Sequence, residues 1–306
     1  MNRGKTTVRG GLAVLTGLVV LAALCCGTAW AQPVTGEQDQ NSISVSGSTT
    51  VLPIAQRAAE EFQNMNPDVE VLVSGGGSSV GVQAVGEGTA DIGMVSRELK
   101  PEEEQQYPDL VETTIASDGI AVIVNPANTV ENLTLSEARG IYNGTYTNWN
   151  EVGGSDEQIV VVGRDSASGT REFFSEAVME GEDFVNTQLE VNSNGAMQQT
   201  VAQTPGAIGY VGLGYVDETV KALNLTVNGT SLAPNQETVT SGEYPLARDL
   251  YMFTRGEPSG LAAEYINFIL SDTGQQVVLD EGFVPLNQTG TDAGGQQMTE
   301  PAGMAM

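Results

Sequence analysis

Three times along this chain an apolar run of strand length ends in a cluster of glycine, serine and threonine that opens straight into a helical pattern. The joints are Gly47-Ser48-Thr49-Thr50 before Val51, Gly75-Gly76-Gly77-Ser78-Ser79 before Val80, and Ser166-Ala167-Ser168-Gly169-Thr170 before a helix over 172–178. Strands that feed helices this abruptly, and repeatedly, predict an α/β architecture in which helices cover a sheet. Each joint also sets backbone N–H groups and hydroxyls at a helix N-terminus, where unsatisfied donors and the positive end of the macrodipole favour an anion. Serine and threonine cap helices in any protein, so one such loop carries little weight. Three of them beside a guanidinium carry more.

That guanidinium is Arg164, which follows a strand predicted over 159–162 and stands directly before the third joint. Its planar fork of donors suits a tetrahedral oxyanion. Cations are scarce, with 12 Lys and Arg against 39 Asp and Glu and a net charge of −27. This balance excludes a nucleic-acid binder, which needs clustered basic side chains against phosphate. The chain has no His, which excludes Ser-His-Asp and Cys-His triads and His-ligated zinc. No Gly-Lys-Ser/Thr follows the glycines, so none of the joints is a nucleotide P-loop. Glu102-Glu103-Glu104 reads as the start of a solvated helix, not a calcium site. The residues point to a binding protein without cofactor or metal, and not to an enzyme.

The first 31 residues have the layout of an export signal: Arg3, Lys5 and Arg9, an apolar run from Leu12 to Cys26, and the small-x-small triplet Ala29-Trp30-Ala31. Cleavage is expected between Ala31 and Gln32, placing the mature protein in the periplasm or at the cell surface. It removes both cysteines, so the fold stands without disulfides. A lipid anchor on either cysteine is poorly supported, because Leu24 and Cys25 precede them where a small residue is preferred. Nine bases then face 39 acids, a net charge of −30, which suits a saline exterior.

Residues 32–41 read as a polar linker and 287–306 as a disordered tail. The firmest helix covers 51–65, with Ile54, Ala55, Ala58 and Phe62 on one face, Thr49 or Thr50 as its cap, and Asn66-Pro67 as its stop. Thr134 with Glu137 forms a capping box. Extended runs near Ile120 and Leu250 bracket a central block. They predict two crossovers, with one lobe from residues 42–119 and 251–286 and a second from 120–250.

The stretches SGSTTVLPIAQRAAEEF from Ser46, SGGGSSVGVQAVGEGTADIGMVSRELK from Ser74, TNWNEVGG from Thr147, VVGRDSASGTREFF from Val161, PGAIGYVGLGY from Pro205 and the ending YINFILSDTGQQVVLDEGFVPL cover nearly the whole mature chain. Together they resemble the phosphate-binding proteins of phosphate ABC transporters. The resemblance implies a two-lobed periplasmic-binding-protein fold of type II-like topology, with two crossover segments and a cleft. Inorganic phosphate is held there, the lobes close by a hinge, and a monomer delivers the anion to a membrane ABC permease.

Carried over by position, Thr49, Thr50 and Ser78 are implied as first-lobe contacts, and Arg164, Ser168, Gly169 and Thr170 as second-lobe contacts. Some members place an Asp after the glycine-containing strand to accept the proton of hydrogen phosphate; here that position is Ser96, followed by Arg97. A serine discriminates less by charge than a carboxylate, so sulfate, molybdate and tungstate stay open as alternative ligands, with Asp91 or Asp165 as candidate acceptors. Arg97 is expected either to touch the ligand or to form a gate or lobe-bridging ion pair. Arg171 is expected at the ligand or in an exposed pair with Glu172 or Glu176. Trp149, Tyr210 and Tyr215 read as packing residues. A phosphoester hydrolase using the same pocket is the rival from another class, weakened by the missing His and Cys.

Overall fold

The computed structural model describes residues 41–286; the predicted leader, the linker up to residue 40 and the tail over 287–306 lie outside them. The fold opens with a β-α-β unit: β1 (Ser42–Gly47), α1 (Leu52–Met65) and β2 (Glu70–Gly75), the two strands parallel with Ser42 opposite Glu70. The apolar face of α1 buries Ile54, Ala55, Ala58 and Phe62 against the sheet. Each large side chain there contributes about 1.5–3 kcal/mol of burial energy.

The start of α1 differs from the sequence expectation. No side chain caps the helix at Val51, and Ser48 Oγ instead accepts from the N–H of Thr50 at 3.1 Å. Ser48 thus folds the entry turn, and the hydroxyls of Thr49 and Thr50 are spared that duty. The chain continues through α2 (Ser78–Gly86), β3 (Ile92–Val95), which pairs parallel with β1, and α3 (Pro101–Gln106).

β4 (Leu110–Val124) is a single strand of 15 residues where only its last part is expected. After it come β5 (Asn132–Thr134) and α4 (Leu135–Tyr142), which carries the expected capping box. Thr134 Oγ1 accepts from Glu137 N at 3.1 Å and the Glu137 carboxylate accepts from Thr134 N at 2.8 Å. Next are β6 (Val160–Arg164), α5 (Gly169–Phe174), β7 (Leu189–Val191), α6 (Asn194–Gln203) and β8 (Ala207–Gly212). Three short strands, β9 (Lys221–Ala222), β10 (Asn224–Val227) and β11 (Thr230–Leu232), precede α7 (Gln236–Thr240). β12 (Ala247–Arg255), α8 (Gly260–Leu270) and α9 (Asp272–Asp280) complete the order.

The main sheet runs β2-β1-β3-β12-β4-β8-β6-β7, with β9 also on β4; β11, β10 and β5 form a separate small sheet. Two large apolar cores lie along this path, with a small third cluster of Val82, Val85, Val95, Tyr251 and Phe253. One large core gathers Ile54, Phe62, Ile92, Leu250 and Ile266, the other Val122, Tyr142, Phe174, Ile208 and Tyr210. β4 and β12 are the two crossovers: β4 gives Ala116 to the first core and Ile120 to the second. They pair antiparallel, and the register slips where Leu250 faces Ala116 and Tyr251 faces Thr114. Ile115 is thereby left as a bulge, which bends and twists the strand where it passes between the cores.

Candidate functional site

The three Gly/Ser/Thr joints meet between the two cores. From the first comes Thr50, whose Oγ1 lies 3.0 Å from Thr170 Oγ1 of the third. From the second comes Ser78, whose Oγ lies 3.2 Å from Ser96 Oγ and accepts from Ser96 N at 3.1 Å. Gly169 completes the contact, because a Cβ on it would fall 2.2 Å from Ser78 Oγ and 2.9 Å from Ser96 Oγ. Only a residue without a side chain lets these backbones approach so closely. A backbone bond from Ser79 N to Ala167 O at 3.2 Å and an ion pair from Lys100 Nζ to Glu172 Oε2 at 2.7 Å also join the two sides.

Arg164 projects from the end of β6 into this cluster and is 1% exposed. Its Nη2 donates to Thr49 Oγ1 at 3.3 Å and to the carbonyl of Asn192 at 3.4 Å. Nε and Nη1 are buried without a protein acceptor. Burial pulls its pKa down, opposed by Tyr210 and Asp165 nearby, and a guanidinium keeps its proton against such a pull. No carboxylate of the described residues pairs with it. Buried charged donors without partners are costly, and they suit an acceptor supplied from outside the protein.

The remaining candidates are placed as follows. Ser168 caps α5, its Oγ accepting from Arg171 N at 3.1 Å. Arg97 does not reach the cluster: Nη1 and Nη2 each donate to one oxygen of Glu103 at 2.7 Å, and Nη2 also to Ser79 Oγ at 3.0 Å. Burial works against ionisation of Glu103, but the Arg97 bond and the Lys100 N–H hold its carboxyl below the ordinary range. Asp91 accepts from the N–H and the hydroxyl of Ser44, each at 2.8 Å, and Asp165 accepts from Ala167 N at 3.1 Å, so both brace loops. The Arg171 guanidinium lies 4.8 Å over the Phe184 ring and pairs with neither Glu172 nor Glu176. Trp149 and Tyr210 are buried in the second core, Tyr210 stacked on Phe174 at 4.2 Å.

Three residues at the cluster, Arg248, Asp118 and Asn194, escape the sequence reading, and a fourth, Tyr215, packs against the second core as expected but also reaches the cluster. Arg248 of β12 and Asp118 of β4 form a fully buried pair, Nη2 to Oδ2 at 2.9 Å and Nε to Oδ2 at 3.1 Å. Arg248 Nη2 also donates to Thr170 Oγ1 at 3.0 Å and to Thr50 Oγ1 at 3.2 Å, while Nη1 donates to the Ser96 carbonyl at 2.9 Å. Asn194, at the start of α6, gives its Nδ2 to Thr49 Oγ1 and Thr50 Oγ1, both at 3.0 Å. Tyr215 donates its hydroxyl to the Thr49 carbonyl at 2.6 Å, and burial pushes its pKa up to about 12.

The cluster is rich in donors, with one guanidinium not offset by a carboxylate. Among the described residues no group of His, Cys, Asp and Glu is arranged to hold a metal ion. The arrangement is built to surround a small oxyanion.

Comparison with known proteins agrees with this geometry. The family model described as a PBP superfamily domain matches residues 32–273. The chain is 32% identical over 297 residues to the phosphate-binding protein PstS of Bacillus subtilis, covering 94% of this chain and 97% of that one. It is 33% identical over 258 residues to PstS of Borreliella burgdorferi, covering 81% and 91%. Among solved structures, a phosphate-bound substrate-binding protein from Clostridium perfringens superposes with a TM-score of 0.75 at 38% identity, covering 80% of this chain and all of the other. An ABC-type phosphate transport receptor from Vibrio cholerae gives 0.65 at 35% identity, covering 79% and 99%.

Proposed function

This chain belongs to the PBP superfamily, among the phosphate-binding proteins of ABC transporters, and on that premise we propose that the donor cluster between its two cores is where inorganic phosphate is captured. The observation that carries the assignment is Arg164, whose Nε and Nη1 are buried beside Thr49 with no acceptor of their own. The contacts are Thr49, Thr50, Ser78 and Ser96 from one side and Arg164, Gly169 and Thr170 from the other. Ser168 acts through its cap on α5. Arg97 stays outside the contact set, committed to Glu103.

The lobes are residues 42–119 with 251–286 against 120–250, a division that matches the two large cores except at Leu250, which packs in the first, and Val284, which packs in the second, and β4 with β12 acts as the hinge. Opening there parts Thr50 from Thr170 and admits the anion; closing surrounds it with fixed donors. The protein binds and releases phosphate without altering it, works outside the cytoplasm as a monomer after loss of its leader, and hands the anion to an ABC permease. Binding at 1 μM corresponds to about −8.2 kcal/mol. Several charge-assisted bonds at roughly 1.5–3 kcal/mol each reach that before the cost of closure is subtracted.

The mature surface, with nine bases against 39 acids, repels an approaching anion, so affinity resides in the local site and added salt speeds association. Isothermal titration with phosphate across a range of salt concentrations tests this. One-to-one binding is expected throughout, with an association rate that rises with salt. Absence of phosphate binding under every condition overturns the assignment.

A further inference from the structure

Arg248 lies outside the set of anion contacts, yet its guanidinium bonds four residues at the cluster. Its guanidinium reaches Thr50 and Thr170, one hydroxyl from each side, as well as Asp118 and the Ser96 carbonyl. What those bonds do follows from the capacity of a hydroxyl, which accepts two hydrogen bonds and donates one. Guanidinium and amide N–H groups only donate.

Arg248 Nη2 has two hydrogens, one given to Asp118 Oδ2 at 2.9 Å and the other shared between Thr170 Oγ1 at 3.0 Å and Thr50 Oγ1 at 3.2 Å. With that shared hydrogen and Asn194 Nδ2 at 3.0 Å, the acceptor positions of Thr50 Oγ1 are filled. In the 3.0 Å contact with Thr170 Oγ1, Thr50 is therefore left to donate. Thr170 Oγ1 then receives both that hydrogen and Arg248 Nη2 at 3.0 Å. Its own hydrogen has no acceptor among the described residues. Asp118 in turn orients Arg248: Oδ2 takes Nε and Nη2, and Oδ1 accepts from Leu213 N at 2.9 Å. The two charges of the pair offset each other and leave the net cation of the cluster to Arg164.

We propose that the buried Asp118–Arg248 pair is a positioning element of the anion site, which saturates the acceptor side of Thr50 and Thr170 so that the Thr170 hydroxyl faces the bound oxyanion as a donor. The inference rests on phosphate capture by this cluster. Because Arg248 acts through Thr170, its contribution exists only while that hydroxyl is present. The site then favours an anion that offers lone pairs along this wall and carries any proton on its far side, toward the Ser78–Ser96 hydroxyl pair, where no guanidinium or side-chain amide dictates the orientation.

The test is a double-mutant cycle on phosphate affinity in the mature protein, read by isothermal titration alongside thermal melting. One arm is Asp118→Asn with Arg248→Gln, which removes both charges together and leaves neither buried alone. The other arm is Thr170→Val. Each arm is expected to weaken phosphate binding about 10- to 100-fold, and the two together no more than about 3-fold beyond the worse arm, because they share one hydrogen bond. Arg248→Lys is expected to recover part of the affinity lost in Arg248→Gln. Losses that multiply, or a folded pair variant with unchanged affinity, overturn the proposal.

If the pair variants do not fold, Thr170→Val against Thr170→Ser decides. Serine is expected to keep the affinity within about 3-fold and valine to lose it, since only the hydroxyl matters to this chain of bonds; equal affinities overturn the proposal. A wild-type protein that fails to bind phosphate defeats the capture assignment itself, a different outcome from a binding protein indifferent to these substitutions.

Discussion

Gly169 and Ser78 stand on opposite sides of the closed cluster, and a single added carbon on the glycine would come within 2.2 Å of the serine hydroxyl. Neither residue can yield easily, because Ser78 opens α2 and Gly169 opens α5. Closure and close approach are one requirement here.

Gly169→Ala is therefore expected to fold normally while failing to close. The overlap falls only on the closed form, and overpacking of this kind costs about 1–3 kcal/mol. Phosphate affinity should drop at least about 10-fold with the melting temperature of the ligand-free protein unchanged. Titration and melting read both quantities, and an alanine variant that binds phosphate as tightly as wild type removes the steric argument.

Arg164→Met separates function from stability. The arginine is 1% exposed and leaves two donors unpaired in the protein, so an apolar side chain of similar length relieves a desolvation cost. The ligand-free protein is expected to melt at the same temperature as wild type or higher, and the stabilisation that phosphate confers on wild type should vanish. A marked fall in stability without ligand would show that Arg164 serves the core instead.

Much of this site is legible in the sequence because helix N-termini write their donors in adjacent residues: Thr49 and Thr50, Ser78, and Ser168 to Thr170 each announce themselves within one turn. Arg248, Asp118 and Asn194 do not, since each is a lone polar residue brought in by an element distant in sequence, and Tyr215 reads only as packing. A signal for two of them does exist. Asp118 interrupts the apolar run from Ile115 to Val124, and Arg248 stands between Leu246 and Leu250. Charges inside runs that must be buried need partners, and these two find each other. The same interruption, Ser117-Asp118-Gly119, hides the first half of β4, whose exposed Glu112 further breaks the pattern. Thr49 or Thr50 reads as the cap of α1, yet the helix has no side-chain cap and it is Ser48 that folds the entry turn, because adjacent hydroxyls are equivalent by type and differ only in the turn they occupy.

Arg97 and Glu103 lead to a pH expectation. Both are largely buried, with side chains 4% and 14% exposed, and Glu103 is held below the ordinary carboxylate range. A group with a depressed folded-state pKa adds stability that is present above its unfolded value, here 4.5, and lost as pH falls through the folded value. Glu103→Gln should accordingly lower stability at neutral pH and show a smaller loss than wild type on acidification below that value. Phosphate affinity at neutral pH should change less than about 3-fold, since the pair lies beside the cluster and not in it. Melting curves from neutral to acid pH for both proteins decide the matter; parallel curves exclude the pair from the acid response.

Lys100 and Glu172 span the mouth between the two sides at 2.7 Å, with side chains 27% and 32% exposed. An ion pair this accessible is worth about 0–1 kcal/mol, so Lys100→Gln should weaken phosphate binding by no more than about 5-fold. The loss belongs to the closed form alone, because opening separates the charges, and it should appear as faster release of phosphate with little change in the rate of capture. At 1 M salt the screening length falls to about 3 Å, and the variant should then release phosphate at the wild-type rate. Stopped-flow release measured at low and high salt tests this directly, and a difference between variant and wild type that persists undiminished at 1 M would assign Lys100 a packing role at the lip instead of an electrostatic one.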